Sequence, residues 1–412
     1  MDNSRGRRKV HSDAYLSRLQ SSQHRTLTMP VAIQPPTLDI PTIDLAPSSG
    51  KSDAELAETL LQALNTVGFL HVLNPGPGLT QKDVRGIFDV GSKLFEVPLK
   101  EKEAVGFDVE TGAGYTSMMG QTTGAKAHRF RGDLKESFSI GPSTISSVPA
   151  NIPDTTLIGQ LEDFRQSCFD CGLRLLDLFT LALKTPEGDP SYFRSKHTYH
   201  NNESLRLIHY PAFPRASKDE EGVQGKSTNW GELKIGEKDI RAVVELTFGG
   251  MHRTLLFQSP PTEAGQPTAV EGLEIFVARP DGPAEAPDGS GRKGWWIPAP
   301  APKDVTDGGS ILVNVGASME IWSGGQFKAT WHRVVCPNPP DLAAGQVLPG
   351  RKSVVFFMIP NHDVHLTPIN SAGKPAVAEG CMTSGEFFRL RMARGYGKDE
   401  VTAGDEPVTV KA

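Results

Sequence analysis

The sequence has few cysteines, no long apolar run and no excess of positive charge. Four cysteines in 412 residues are too few for a disulfide framework, so we expect a reducing, cytoplasmic location. No apolar run reaches about 18 residues, which argues against a membrane span. The net charge of −5 excludes a broad basic surface for nucleic acid. We therefore expect a small-molecule partner and no nucleic-acid or membrane partner, while nothing indicates an oligomeric state.

The N-terminal half shows helical and strand patterns after a polar start. Residues 1–37 are predicted to be a disordered tail, and 1–28 are a candidate gene-model extension because Met29 opens a plausible natural start. Residues 38–190 then alternate apolar runs at helical spacing with short β-type runs. A long helix is predicted over about 155–184. Its two cysteines are expected to be buried thiols.

The C-terminal half changes character at about residue 200, where short β-rich runs follow one another between glycine and proline turns. Many short strands without intervening helices predict an antiparallel jelly-roll core over about 200–362. Polar stretches at about 215–240 and 278–294 are expected to be surface insertions. A final helix is predicted over 380–396, with Thr383 or Ser384 as its N-cap. The fold class is therefore α+β.

Two late strands and one earlier strand carry candidate ligand-binding residues. Arg351 and Ser353 are two residues apart, so on a strand both side chains point to one face. A guanidinium with a hydroxyl beside it suits a carboxylate, because the planar fork of donors matches two oxygens. Tyr210, in "LRLIHYPAF", adds a phenol donor. His332 is a candidate metal ligand. Each residue alone has an ordinary structural explanation, and only their order in β-type contexts singles them out.

Eight stretches together are similar to one enzyme family: "PTIDLA", "VGFLHVLNPG", "LFEVPLKEKEAV", "GYTSM", "KESFSIG", "LRLIHYP", "GSILVNVGASMEIWSGGQFKATWHRVV" and "RKSVVFFMIP". From about residue 38 to about 395 the chain resembles the isopenicillin N synthase-like family of Fe(II)- and 2-oxoglutarate-dependent oxygenases. The resemblance implies a double-stranded β-helix core with an N-terminal helical region and a C-terminal helix. It also implies Fe(II), 2-oxoglutarate as co-substrate, and dioxygen.

The resemblance further implies roles for the candidate residues. His332 would be an iron ligand, Arg351 and Ser353 would hold the distal carboxylate of 2-oxoglutarate, and Tyr210 would assist them. The implied activity is oxidation of a small organic molecule by hydroxylation, desaturation or cyclisation. Two alternatives stay open, a binding or partner subunit without catalysis and an oxidase that uses no 2-oxoglutarate.

The family's H-x-D pair of iron ligands is missing from its expected strand, "VVELTFGGMHRTLLFQ" at 243–258. One alignment puts Glu245 at the histidine position and Thr247 at the aspartate position, and the other puts Thr247 and Gly249 there. Of the 11 histidines only His11 begins an H-x-D, and it lies in the N-terminal tail.

Three explanations of this missing pair are open. The first is loss of the metal site. The second is a rebuilt site in which Glu245 joins His332 as a ligand, with His252 as a further candidate, which requires several coordinated changes near ideal geometry. The third is a gene-model artefact over residues 226–252, such as a retained intron. Loss or artefact is favoured over rebuilding because it requires no new ligand geometry.

Overall fold

The fold is described from a computed structural model, and the description covers only part of the chain. It includes residues 35–118, 120, 135–150, 155–185, 189–214, 253–258, 269–287, 290–334, 347–348, 350–375 and 380–395. The predicted tail, apart from its last three residues, and the predicted insertion at 215–240 lie outside these ranges. None of the described helices is both long enough and apolar enough to cross a membrane.

The described residues form six α-helices, which are α1 (Asp53–Thr66), α2 (Gln81–Glu96), α3 (Leu99–Glu103), α4 (Thr155–Ala182), α5 (Ala317–Trp322) and α6 (Ser384–Gly395). A capping box starts α1, because the Ser52 hydroxyl accepts from the Glu55 N–H at 3.4 Å and the Glu55 carboxylate accepts from the Ser52 N–H at 2.8 Å. The long helix α4 buries Cys168 and Cys171, and burial raises the pKa of the Cys168 thiol.

Fourteen strands occur in the described part of the chain. In chain order they are β1 (Thr42–Asp44), β2 (Phe69–Leu73), β3 (Gly114–Thr116), β4 (Glu136–Ile140), β5 (Ser204–Tyr210), β6 (Phe213–Pro214), β7 (Arg253–Gln258), β8 (Ala269–Ala278), β9 (Ala284–Glu285), β10 (Lys293–Pro300), β11 (Ser310–Val315), β12 (His332–Val334), β13 (Val347–Leu348) and β14 (Arg351–Met358).

These strands form two main sheets and one small pair. The larger sheet has eight strands in the order β1-β2-β11-β7-β14-β5-β4-β3, and only β1 and β2 run parallel. The smaller sheet has four strands in the order β12-β8-β10-β9, and β13 pairs with β6. Because the pairing joins strands distant in sequence, the late strands β11 and β14 lie beside the early strands β2 and β5.

The two faces of the larger sheet bury different neighbours. On its outer face, residues such as Leu207 and Phe356 join the core that includes Phe179 of α4. On its inner face, Ile208 and its neighbours share a second core with Ile275 of β8 in the smaller sheet. Burial of each such side chain contributes about 1.5–3 kcal/mol of transfer free energy. The chain is therefore an α+β protein in which helices cover one sheet face and two sheets meet on the other.

The prediction of short strands without intervening helices in the C-terminal half is partly wrong. Within "SILVNVGASMEIWS", β11 ends at Val315 and the helix α5 begins at Ala317. Gly316 occupies the N-cap of α5 and separates the two elements. Met319 and Trp322, three residues apart, are both buried, which is a helical spacing.

The connection at 278–294 and the last helix are also described. Residues 279–287 and 290–292 join β8 to β10 and include β9, which pairs with the start of β10. At the start of α6, the Thr383 hydroxyl accepts from the Glu386 N–H at 3.2 Å, and the Glu386 carboxylate accepts from the Thr383 N–H at 2.8 Å. Thr383 is therefore the N-cap.

Candidate functional site

The predicted carboxylate-binding residues lie together on the inner face of the larger sheet. Arg351 starts β14 and is paired directly opposite Tyr210 at the end of β5. The guanidinium carbon of Arg351 lies 5.2 Å from the centroid of the Tyr210 ring. Ser353 lies two residues further along β14, opposite Ile208 and on the same face. All three predicted side chains, at 3–7% exposure, are buried.

The Arg351 side chain carries a buried charge that the described residues do not neutralise. Its Nη1 atom is buried without a hydrogen-bond acceptor among the described residues, and no described carboxylate forms an ion pair with it. A buried guanidinium without an acceptor is costly in free energy. A carboxylate beside Nη1 would supply both the missing acceptor and the opposite charge. The residues present therefore fit one end of a dicarboxylate such as 2-oxoglutarate.

His332 faces this region from the smaller sheet. It starts β12, is paired with Ile275, and is 6% exposed. Its ring meets the Phe69 ring edge-on, with the two centroids 5.3 Å apart. The Nδ1 atom lies 3.0 Å from the Thr330 carbonyl oxygen, which only accepts, so Nδ1 carries the proton. With its proton on Nδ1, a neutral ring has its lone pair on Nε2, and the backbone contact fixes the orientation of the ring.

The described residues supply a single member of the predicted metal site. No group of three or more His, Cys, Asp or Glu side chains that could hold a metal occurs within the described ranges. Glu245, the other predicted ligand, lies outside those ranges, as does Thr247. The structure thus brings Tyr210, Arg351 and Ser353 together and sets His332 in the opposite sheet.

His71 is a second buried histidine, and it connects the two sheets. It lies on the same face of β2 as Phe69, and its Nε2 atom is 3.0 Å from the carbonyl oxygen of Pro300 in β10. Its Nδ1 atom is buried without a described hydrogen-bond partner. Burial lowers the pKa of His71 to about 4, so the ring is neutral near pH 7 and donates from Nε2.

Sequence reasoning missed Arg206, which also lies on the inner face. It is four residues before Tyr210 on β5 and is only 5% exposed. The signal was present in the strand alternation, since Arg206, Ile208 and Tyr210 are each two residues apart. The stretch "LRLIHYPAF" drew attention only to its tyrosine, although a charged residue in an otherwise apolar strand is the rarer feature.

Two family models match the chain on either side of its middle. Residues 40–156 match the N-terminal region of "non-haem dioxygenase in morphine synthesis", and residues 266–360 match the 2OG-Fe(II) oxygenase superfamily. The second match contains His332, Arg351 and Ser353. The chain belongs to the 2-oxoglutarate- and Fe(II)-dependent oxygenases. The predicted family and its cofactors, Fe(II), 2-oxoglutarate and dioxygen, are confirmed by these matches.

Several fungal proteins are similar along most of the chain. The UPF0676 protein C1494.01 of Schizosaccharomyces pombe is 27% identical over 377 residues, covering 88% of this chain and 94% of that protein. The 2-oxoglutarate-dependent dioxygenase ecdK of Aspergillus rugulosus is 25% identical over 354 residues, covering 81% and 92%. A solved full-length protein of Neurospora crassa, in complex with alpha-KG, has 24% identity and a TM-score of 0.63, covering 88% and 98%. That last likeness shows a shared fold.

The missing H-x-D pair falls between the two family matches. The second match begins at residue 266, after the stretch 243–258 where the resemblance places those ligands. The oxygenase family is thus established on the parts of the chain that carry Arg351, Ser353 and His332. The identity of the remaining iron ligands is a separate question.

Proposed function

We propose that this chain uses Fe(II), 2-oxoglutarate and dioxygen to oxidise a small organic molecule by hydroxylation, desaturation or cyclisation. The observation that carries the proposal is the buried Nη1 atom of Arg351, which has no acceptor among the described residues although the arginine lies beside Tyr210 and Ser353. An unpaired buried charge lowers the stability of the folded protein unless a ligand of opposite charge binds to it. The distal carboxylate of 2-oxoglutarate is the ligand that the family supplies.

Each of the four candidate residues has a distinct task in this proposal. Arg351 binds the distal carboxylate through paired N–H donors, and Ser353 donates a further hydrogen bond to it. Tyr210 orients the guanidinium through its ring and limits the directions the side chain adopts. His332 would hold the metal through Nε2, because its Nδ1 proton is engaged by the Thr330 carbonyl. Bound Fe(II) supplies the activation of dioxygen that 2-oxoglutarate decarboxylation drives.

The strand order supports a double-stranded β-helix as the finer description of the core. An eight-stranded and a four-stranded sheet share one buried cluster, and β11 and β14 lie on either side of β7. Ligands in closed or nearly closed β folds bind between the sheets, where inner-face side chains converge. A small-molecule substrate between the sheets is consistent with this arrangement. The three described cysteines form no disulfide with one another, which supports a cytoplasmic location.

The test is the iron content and the 2-oxoglutarate turnover of the purified full chain. After anaerobic loading with Fe(II), we expect about one iron per chain and release of succinate in the presence of 2-oxoglutarate and dioxygen. If Glu245 completes a rebuilt site, Glu245→Ala loses the iron. Sequencing of cDNA across residues 215–258 identifies a gene-model artefact, in which case the corrected chain is the one that turns over.

A binding or partner subunit is the second candidate function. It is favoured by one observation, which is that the described residues include a single predicted metal ligand. If the cDNA confirms the sequence and the loaded chain holds no iron, this second function replaces the first. The carboxylate-binding residues would then bind a ligand without oxidising it.

A further inference from the structure

The three arginines that are buried among the described residues fall into two kinds. Arg165 has two carboxylates near it, with Glu162 at 3.1 Å and Glu203 at 3.9 Å. Arg351 and Arg206 have no ion pair with any described carboxylate, and both lie on the inner face of the larger sheet. Because a buried charge without a counter-charge is costly, each of these two guanidiniums is suited to an anionic ligand.

The Arg206 side chain is fixed by its contacts, but some of its N–H donors have no described acceptor. Its Nε donates to the Ser139 hydroxyl at 2.9 Å. Its guanidinium carbon lies 6.0 Å from the ring centroid of Phe107 and 5.7 Å from that of Phe357, which is the range of cation–π contacts. No described residue accepts a hydrogen bond from Nη1 or Nη2. The edge of the guanidinium that forms paired bonds with a carboxylate therefore has no described acceptor.

Arg206 and Arg351 are placed to bind two different anions. Arg206 precedes Tyr210 by four residues on one face of β5, which is about 13 Å along an antiparallel strand, and Tyr210 is opposite Arg351. The Arg206 guanidinium lies beside Phe357, which pairs with Ser204 and is therefore on the side of Arg206 away from Arg351, so the two guanidiniums occupy separate positions on the inner face. Residue pairing across β7 and β11 connects Phe357 to Phe69 on β2, and the Phe69 ring contacts His332. Arg206 thus lies on the His332 side of Arg351.

We propose that Arg206 binds the substrate, and that the substrate carries a carboxylate next to an aromatic or other flat apolar group. The single positive charge matches a single carboxylate, and its planar fork matches two carboxylate oxygens. The rings of Phe107 and Phe357 offer apolar contact beside that charge. This inference rests on the proposed function, since it assigns 2-oxoglutarate to Arg351 and leaves Arg206 for the molecule that is oxidised.

The test is equilibrium binding by titration calorimetry on the full chain with saturating 2-oxoglutarate. The probes are benzoate, phenylacetate and cinnamate, each beside its primary amide, which has the same shape without the charge. We expect at least one acid to bind at least tenfold more tightly than its amide. The preference should disappear in Arg206→Met and persist in Arg351→Gln, which lacks the other guanidinium.

A stability measurement separates ligand binding from a structural role. Arg206→Met should unfold at nearly the same denaturant midpoint as the parent, because no described carboxylate loses its partner. Arg165→Met should lower that midpoint, because Glu162 and Glu203 remain without their cation. If Arg206→Met does not fold, Arg206→Lys takes its place. Lysine keeps the charge but lacks the planar fork, so the acid preference should weaken several-fold.

Four results would overturn the assignment. No acid binds, or acid and amide bind equally, or the preference for the acid survives in Arg206→Met. Displacement of the acid by 2-oxoglutarate would also contradict it, because the acid would then occupy the Arg351 site. The binding test needs neither iron nor turnover, so loss of succinate release with retained acid binding contradicts the proposed function and not this inference.

Discussion

Arg351 and Tyr210 are paired directly across β14 and β5, with the guanidinium carbon 5.2 Å from the centroid of the phenol ring. This relationship holds the arginine over an aromatic face while its Nη1 atom stays buried without a described acceptor. A side chain fixed in this way loses little conformational entropy when a carboxylate binds. We therefore expect the pair to be preorganised for an anion.

Removal of the hydroxyl of Ser353 should weaken 2-oxoglutarate binding modestly. Ser353→Ala deletes one donor to a charged acceptor, which is worth roughly 1.5 kcal/mol, or about a tenfold rise in Kd. Calorimetric titration of 2-oxoglutarate measures this change. Ser204→Ala, which deletes a buried hydroxyl on the same face of the sheet, should leave the Kd unchanged. Equal Kd values for Ser353→Ala and the parent would remove Ser353 from the carboxylate site.

Loss of His332 should reduce iron binding. His332→Ala removes an imidazole ligand whose tautomer is fixed by the Thr330 carbonyl, so we expect at least a tenfold loss of Fe(II) affinity. The measurement is the iron retained per chain after anaerobic loading and gel filtration. His365→Ala, at an exposed position, is the matched control. Unchanged iron retention in His332→Ala would show that any metal is held elsewhere.

His71 should make the fold sensitive to acid. Its folded-state pKa of about 4 lies below the ordinary 6.5, so the unfolded chain takes up a proton first as the pH falls. The contribution of neutral His71 to the free energy of unfolding is fully present above about pH 6.5. It is lost progressively toward pH 4, and the loss amounts to at most about 3 kcal/mol. His71→Gln removes this titration and keeps an N–H donor for Pro300. Urea unfolding at pH 7 and pH 5 should therefore show a smaller difference for His71→Gln, and an unchanged difference would contradict the assignment.

The outer face of the same sheet carries a buried charge network that stabilises the fold. The Glu136 carboxylate accepts from Lys102 at 2.7 Å and from the Tyr115 hydroxyl at 2.6 Å, and it lies 2.9 Å from His209 Nδ1. Burial alone would raise the pKa of Glu136, but these partners outweigh burial and lower the pKa.

Glu136→Gln should lower the free energy of unfolding by about 3 kcal/mol, because it leaves the buried Lys102 ammonium without its carboxylate. Denaturant unfolding at pH 7 measures the loss. Glu285→Gln, which breaks an exposed pair with Lys293, should leave the unfolding free energy nearly unchanged. Equal effects of the two substitutions would show that the buried network is not a stabilising feature.

The placement of Arg351 and Ser353 on one face of the sheet was predictable from local rules because both residues lie on one strand. Arg351 and Ser353 share a face because side chains alternate along β14, and that spacing is visible in the sequence. The contact between Arg351 and Tyr210 depends on the register of two strands that are about 140 residues apart in the chain, which no local pattern specifies. The sequence offers Tyr210 as a further phenol donor by its residue type, and the family resemblance implies that it assists Arg351.

Other features could not be predicted because their meaning depends on tertiary contacts. Arg206 follows the same alternation as Tyr210, but the lack of a counter-charge is a property of the packed sheets. The helix after Gly316 was missed because "ASMEIW" is apolar enough to continue the preceding strand, and periodicity is ambiguous over short apolar runs. Glu245 lies outside the described residues and remains a prediction.

The most direct test of the central claim is calorimetric titration of 2-oxoglutarate into the parent chain, Arg351→Gln and Lys352→Gln. Lys352 is the next residue on β14, and its substitution removes the same charge from the opposite face of the sheet. We predict at least about a hundredfold rise in Kd for Arg351→Gln and less than about a threefold change for Lys352→Gln, since a charge-assisted pair in a buried site is worth about 3 kcal/mol. Equal affinity of Arg351→Gln and the parent for 2-oxoglutarate would contradict the account.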